Sequence, residues 1–486
     1  MNIGHLEPAG LWSYFEEICR IPRLSKKEGK IIEFLEGFAA DHNLECKRDK
    51  TGNILIRKPA SPGLENLKPV VLQSHMDMVG EKDSDTLHNW DKDPITPVIK
   101  GDWVKAVKTT LGADDGIGIA AQLLILSDTE IKTGPVECLF TVDEESGMTG
   151  AKNIQPGFFN SRILINLDSE DEGELFIGCS GGIDTIATMT FSEEKSEKGM
   201  DALSLSLTGL SGGHSGDEIH RGFGNSVKIM NRLLLDIDSM FGIRISTFNG
   251  GNLRNAIPRE AFATITFNAD LKDKIIDHTN EFGKKISSEY RVSDPSLTLT
   301  VGNAPLPGTV VDRSRQEKMN MALEKCPHGV IAWSETMEDL VETSTNLASI
   351  KFAKDNTIRI VTSQRSSSDS AKEELSTRIE RIFRESGAEV YHPDGYPGWQ
   401  PDTNSEILRI TKESYLHNFG SEPVVRAIHA GLECGLFLEK FPGLDMISFG
   451  PTIKGAHTPE ERISIKSTVR FWTLLTDLLT RIPAEN

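Results

Sequence analysis

Residues 136–150 read VECLFTVDEESGMTG. The first half is a short, nearly continuous apolar run of the kind that strands buried on both faces of a parallel sheet show. It stops abruptly at three consecutive carboxylates, Asp143, Glu144 and Glu145. Two more runs of the same character lie on either side in sequence, KPVVLQSH (68–75) and RILINLD (162–168), and GIGIAAQLLIL (116–126) between them predicts a helix packed on the strands. Strands alternating with helices predict an α/β fold with right-handed crossovers.

The texture changes near residue 185. ALSLSLTGL (202–210) and EAFATITFNAD (260–270) alternate with period two, as half-exposed antiparallel strands do, while residues 224–237 and 272–290 carry helical spacing. A second strand and helix follow at 358–367 and 373–386, which suggests two similar units of about 100 residues. The turn-rich stretch YHPDGYPGWQPD (391–402) marks a return. After it LDMISFG (444–450) reads as another buried strand, and VRFWTLLTDLLTRI as a closing amphipathic helix. The expected organisation is a mixed, mostly parallel-sheet α/β domain (1–186 and 394–486) interrupted by an inserted α+β domain (187–393).

Bulk properties narrow the function. A chain of 486 residues exceeds one compact core, so two domains are the natural prior. With 53 basic and 72 acidic residues the net charge is −19, which argues against nucleic acid or anionic membrane as partner. No apolar stretch approaches the roughly 20 residues of a membrane span. The start, MNIGHLEPAGLW, lacks a basic segment leading into an apolar one, so no secretory signal is expected. The six cysteines are scattered singly, which fits a reducing cytoplasm.

Acids and histidines gather where the strands end, the place where open α/β sheets bind ligands. His75 and Asp77 follow VVLQS, Asp114 opens the GIGIAA helix, the acid trio follows CLFTV, Asp168 closes ILINL, and His457 follows the ISF strand. Imidazole with carboxylate suits zinc, manganese or cobalt. Several carboxylates with two histidines favour a pair of ions bridged by one carboxylate, and cations would also explain why like charges crowd together. Asp77, two residues beyond His75, is placed to fix that ring's tautomer. Thr458-Pro459-Glu460-Glu461 fits a capping box, predicting a helix directly after His457.

Three other motifs fail their context tests. GIGIAA matches a dinucleotide fingerprint, but no buried strand precedes it. GLSGG (209–213) and GCSGG (178–182) match a serine-hydrolase elbow without the following helix. DSDTLHNWDKDP (83–94) lacks the glycine and glutamate of a calcium loop. A non-enzymatic metal-binding protein is the remaining alternative, and it would have no use for an acid standing free beside the ligands.

The segments SHMDMV, TTLGADDGIGIA, TVDEESGM, INLDSE, SGGHSGDEIHRG, NGGNLRNAIPREA, HAGLECGLF and SFGPTIKGAHTPEE together resemble the dipeptidases of the M20 metallopeptidase family, along nearly the whole chain. The resemblance implies a di-metal catalytic domain with an inserted lid, and hydrolysis of unblocked dipeptides, Xaa-His included. An aminoacylase, tripeptidase or deacetylase of the same family is the alternative. It implies two divalent ions, zinc foremost, held by His75, Asp114, Glu145, Asp168 and His457, with Asp114 as the bridge. Asp77 would orient His75, Glu144 would be the general acid and base, and Asp143 is left without a role. His214 and Asn255 are implied as oxyanion donors, with Arg254, His429 and Glu433 as further substrate contacts. A cis peptide between Asp114 and Asp115 is implied too, and the size of the insertion makes a homodimer compatible but not required.

Overall fold

The computed structural model describes residues 3–485, in two compact units. The first comprises Met1–Gly178, Pro401–Ala427 and Leu432–Asn486, and the second Cys179–Gln400 with Ile428–Gly431.

An eight-stranded mixed sheet organises the first unit. At its centre Val136–Thr141, Val70–His75, Ile163–Asn166 and Asp445–Ser448 run parallel, in that spatial order. Ile54–Lys58 and Glu45–Arg48 extend one side antiparallel, and Glu174–Cys179 pairs antiparallel on the other. Val136–Thr141, Val70–His75 and Ile163–Asn166 are buried along their whole length, as their nearly continuous apolar runs predict. Each such aliphatic side chain contributes about 1.5–3 kcal/mol by leaving water. The helix expected at 116–126 lies in the element Ala113–Ser127, whose regular part begins after a kink at Asp114 and Asp115, and the closing helix spans Ile465–Arg481, capped by Ser464.

A second, four-stranded antiparallel sheet in this unit has no counterpart in the sequence expectations. It joins Pro97–Lys100, Trp103–Ala106, Arg462–Ser464 and Ile453–Lys454. Its strands are two to four residues long, too short for periodicity to register. The turn between Lys454 and Arg462 carries His457, and the strand Trp103–Ala106 leads into the loop before Asp114. This small sheet therefore brings the two segments side by side.

The second unit is built on a nine-stranded antiparallel sheet, with a separate antiparallel pair, Glu193–Lys195 and Thr309–Val311. Strands Met200–Thr208, Ala261–Asn268 and Thr357–Ser366 and helices Ser226–Phe241, Lys272–Glu289 and Asp369–Glu385 fall within a few residues of their expected places. The suggested two similar units show as a repeated order, helix Ser226–Phe241 to strand Thr298–Asn303 and helix Arg313–Lys325 to strand Glu389–Tyr391, but their strands are not drawn strictly from consecutive stretches. The two half-sheets meet at Gly250 and Ile350, and Gly181–Thr190, from the start of the unit, pairs with the later half.

Candidate metal centre

Register fixes the first group of candidate ligands. Gln73 lies opposite Asn166 in the parallel pair, so His75 and Asp168, each two residues further on, emerge side by side at the rim. His75 is 1% exposed, and its Nε2 stands 2.9 Å from Asp114 Oδ1 and 3.3 Å from Asp168 Oδ1. Its Nδ1 is 3.1 Å from the backbone carbonyl of Asp77, to which it donates, so the Nε2 lone pair is free to ligate.

Asp114 turns its other oxygen the opposite way. Oδ2 lies 3.2 Å from His457 Nε2, and the same nitrogen is 2.9 Å from Glu145 Oε2. Within each trio, His75–Asp114–Asp168 and Asp114–Glu145–His457, the candidate ligand atoms all lie within 4.8 Å of one another. The five residues expected as ligands thus converge, with Asp114 common to both trios. Asp114 and Asp115 are joined by a cis peptide, as the resemblance implied.

The residues present fit cations. Glu145 Oε1 is buried without a hydrogen-bond partner among the described residues. Burial, with Asp114 adding to it, pushes Asp168 up to about 7, and burial with Asp168 and Glu433 nearby drives Glu144 well above the ordinary range. Asp114 and Glu145 raise His457 to about 11. A cluster that draws protons this strongly is one that divalent ions neutralise.

The three acids of the opening stretch divide the work. Asp143 has no assigned role in the sequence reading, yet it is only 5% exposed and stands in the left-handed region at φ 54°. Its carboxylate accepts hydrogen bonds from the hydroxyls of Ser146 and Thr149, and its N–H donates to Glu28 Oε1 at 2.9 Å. It holds the tight turn that aims its neighbours. Glu144 takes no side-chain hydrogen bond among the described residues, so it is a free acid beside the ligands. Glu145 faces His457.

Asp77 also does more than its sequence position suggests. Its carboxylate is 3.5 Å from His75 Nδ1, while Oδ1 accepts the N–H of Glu144 at 3.0 Å and Oδ2 that of Glu145 at 3.2 Å. Burial works against its charge, but the hydrogen bonds from His75, Glu144 and Ser25 hold it down at about 2. One side chain thereby supports both the His75 imidazole and the turn bearing the free acid.

The helix expected after His457 is absent. Residues 458–461 form a turn into the strand Arg462–Ser464, and Thr458 Oγ1 accepts from Glu460 N–H instead of capping a helix. Glu461 points elsewhere: its two oxygens accept the backbone N–H groups of Leu111, Gly112, Ala113 and Asp114 at 2.7, 3.0, 2.7 and 3.4 Å. The carboxylate thus serves loop amides far away in sequence in place of a helix of its own.

Glu433 is buried, with Oε2 accepting from Gln73 Nε2 at 2.7 Å and from Thr141 Oγ1 at 2.7 Å. Gln73 Oε1 in turn accepts from Asn166 Nδ2 at 2.6 Å, forming a polar seam beneath the rim. Gln73 and Asn166 interrupt otherwise apolar strands, a signal available in the sequence. The other expected substrate residues belong to the second unit. His214 bridges to Ala256, Ser215 N–H donates to Asn255 carbonyl at 2.8 Å, and Arg254 pairs with Asp184 at 3.0 Å. His429 is buried against Ser344 Oγ at 2.7 Å, and burial, reinforced by Arg365, holds it down at about 3.

Such a site is that of a metal-dependent hydrolase, and similarity to known proteins agrees. The family model described as peptidase family M20/M25/M40 matches residues 71–481. The chain is 43% identical over 484 residues to the cytosol non-specific dipeptidase of Escherichia coli (strain K12), covering 100% of both. It superposes on the crystal structure of aminoacylhistidine dipeptidase from Vibrio alginolyticus with a TM-score of 0.94 and 41% identity, covering 100% of this chain and 99% of that one. A tripeptidase from Staphylococcus aureus shares the fold at a TM-score of 0.57 and 16% identity, covering 99% of each chain. The chain therefore belongs to peptidase family M20/M25/M40, and it is a metallopeptidase.

Proposed function

We propose that the protein is a cytoplasmic dipeptidase that hydrolyses unblocked dipeptides, Xaa-His among them, with two divalent ions, zinc foremost. The observation that carries this reading is Asp114, which offers one carboxylate oxygen to each of two histidine–carboxylate pairs with the unengaged Glu144 alongside. His75, Asp114 and Asp168 would hold one ion, and Asp114, Glu145 and His457 the other. When bound, the ions polarise the scissile carbonyl and acidify water. Glu144 takes the proton from the attacking water and returns it to the leaving amine, a task suited to a carboxyl whose affinity for protons is raised. The Asp77 carboxylate keeps the backbone of Glu144 in place while this happens. To His214 and Asn255 the proposal gives donation to the oxyanion, which needs groups preorganised at that point. Full-length identity to a dipeptidase favours this reading over an aminoacylase, tripeptidase or deacetylase.

The test is a dipeptide panel assayed after chelation and after re-addition of zinc, manganese or cobalt, with Glu144→Gln in parallel. Activity should vanish on chelation and return with metal. The variant should keep two ions per chain and lose roughly 10²- to 10⁴-fold in kcat. Turnover of acylated amino acids in preference to free-amine dipeptides, or wild-type kcat in the variant, would refute the proposal.

A further inference from the structure

Glu461 and His457 share one turn, four residues apart, between the strands Ile453–Lys454 and Arg462–Ser464. Glu461 is 2% exposed and collects four successive N–H groups, from Leu111 to Asp114. Helical geometry starts only after the cis-linked Asp114 and Asp115, and there Asp115 Oδ1 accepts the N–H of Gly118 at 3.1 Å. The amides held by Glu461 belong instead to the loop that carries Asp114, where no regular structure supplies them with acceptors. From the other side the buried Arg23 donates to the carbonyls of Met76 and Asp77 at 3.0 and 2.6 Å, and to that of Gly112. Gly112 is thus held at its N–H by Glu461 and at its carbonyl by Arg23. Its φ of 69° suits glycine, and a Cβ there would come within 2.7 Å of Arg23 Nη2.

We propose that Glu461 is a positioning residue of the metal centre, tying the turn that bears His457 to the loop that bears Asp114. The proposal rests on the two-ion reading above. Asp114 is shared by both trios but His457 belongs to one alone, so the influence of Glu461 falls unevenly on them. His75 and Asp168 are set by the parallel register of their strands and do not depend on it. His457 and Asp114 belong to different segments, brought side by side by the small sheet, and the Glu461 carboxylate binds the backbone of the Asp114 loop to the turn of His457. Loss of that link loosens the Asp114–Glu145–His457 trio first.

Zinc titration calorimetry and the absorption spectrum of the cobalt-substituted protein test this without relying on turnover. In Glu461→Gln the amide –NH₂ faces backbone donors, so part of the set loses its acceptor. One ion should bind as in wild type and the other roughly 10- to 100-fold more weakly, with excess zinc restoring kcat. Glu461→Asp keeps the charge and both oxygens one methylene short, and should fall between. Should the Gln variant not fold, the Asp variant decides in its place. Two ions bound with wild-type affinity and an unaltered cobalt spectrum overturn the proposal. So does failure of both variants to fold with zinc present, which would make the carboxylate a requirement of the fold instead of the centre. Wild-type protein that takes up fewer than two ions would defeat the two-ion reading itself, a separate result.

Discussion

Replacing Asp77 with asparagine removes a charge and one acceptor while preserving shape. The wild-type carboxylate is 0% exposed and serves Glu144 N–H at 3.0 Å, Glu145 N–H at 3.2 Å and Ser25 Oγ at 2.8 Å. With the asparagine oxygen kept on Glu144, its –NH₂ faces Ser25, which can turn to accept, and Glu145 N–H, which cannot. A stranded buried donor costs about 1–3 kcal/mol, and the remaining contacts lose their charge assistance, about 1 kcal/mol more. A total of about 3 kcal/mol corresponds to roughly a hundredfold in a local opening equilibrium. Hydrogen exchange of a peptide covering residues 143–149 should therefore quicken about a hundredfold. A catalytic acid displaced by even 1 Å loses about 10²-fold, so kcat/KM should drop by a similar factor. Asp77→Ala, which strands all three donors, should do worse on both measures. Exchange and kcat/KM both within threefold of wild type would falsify the idea that Asp77 holds the Glu144 turn.

Two further outcomes follow from features outside the ligand set. A Cβ at Gly450 would collide with the backbone carbonyl of Ser169, the residue after Asp168, so Gly450→Ala should destabilise by more than about 3 kcal/mol and weaken zinc binding, measured by thermal melting and calorimetry. In the second unit His328 Nδ1 accepts from Asn225 Nδ2 at 3.2 Å and Leu347 N–H at 3.4 Å, and burial with Lys228 nearby holds its pKa down at about 4 against 6.5. The unfolded chain takes up that proton first, so stability is full above about pH 6.5 and falls as the pH drops toward 4. Because the ring is partly exposed, the loss should be about 2 kcal/mol and not the full ~3. Melting temperatures between pH 7 and 4 should show this slope, and His328→Gln, which keeps an acceptor without titrating, should flatten it.

The legible parts of the molecule were those whose physics is local or periodic. Nearly continuous apolar runs gave the central strands, and the acids and histidines that converge at their ends were visible because a sheet's rim is where side chains leave the core. Helical spacing placed Ser226–Phe241 and Lys272–Glu289 within a few residues. What escaped depends on partners with no side-chain signature. Glu461 spends its charge on backbone amides some 350 positions earlier, as the separation of 350 between Leu111 and Glu461 shows, so the residues after His457 looked like a local helix cap. Asp143 looked idle because its work is done on Ser146 and Thr149 in a left-handed turn that no alternation betrays. Arg23, far from any acid cluster in sequence, speaks only to carbonyls.

The order of the ligands along the chain sets a schedule for synthesis. His75, Asp114, Glu145 and Asp168 leave the ribosome early, whereas His457 and Glu461 come after the whole second unit, and Asp445–Ser448 must still pair with Ile163–Asn166. A nascent chain that has emerged only as far as residue 400 can hold an ion at one trio at most. Under the two-ion proposal, hydrolytic competence is deferred until the last segment arrives, and an unfinished or C-terminally clipped polypeptide is silent.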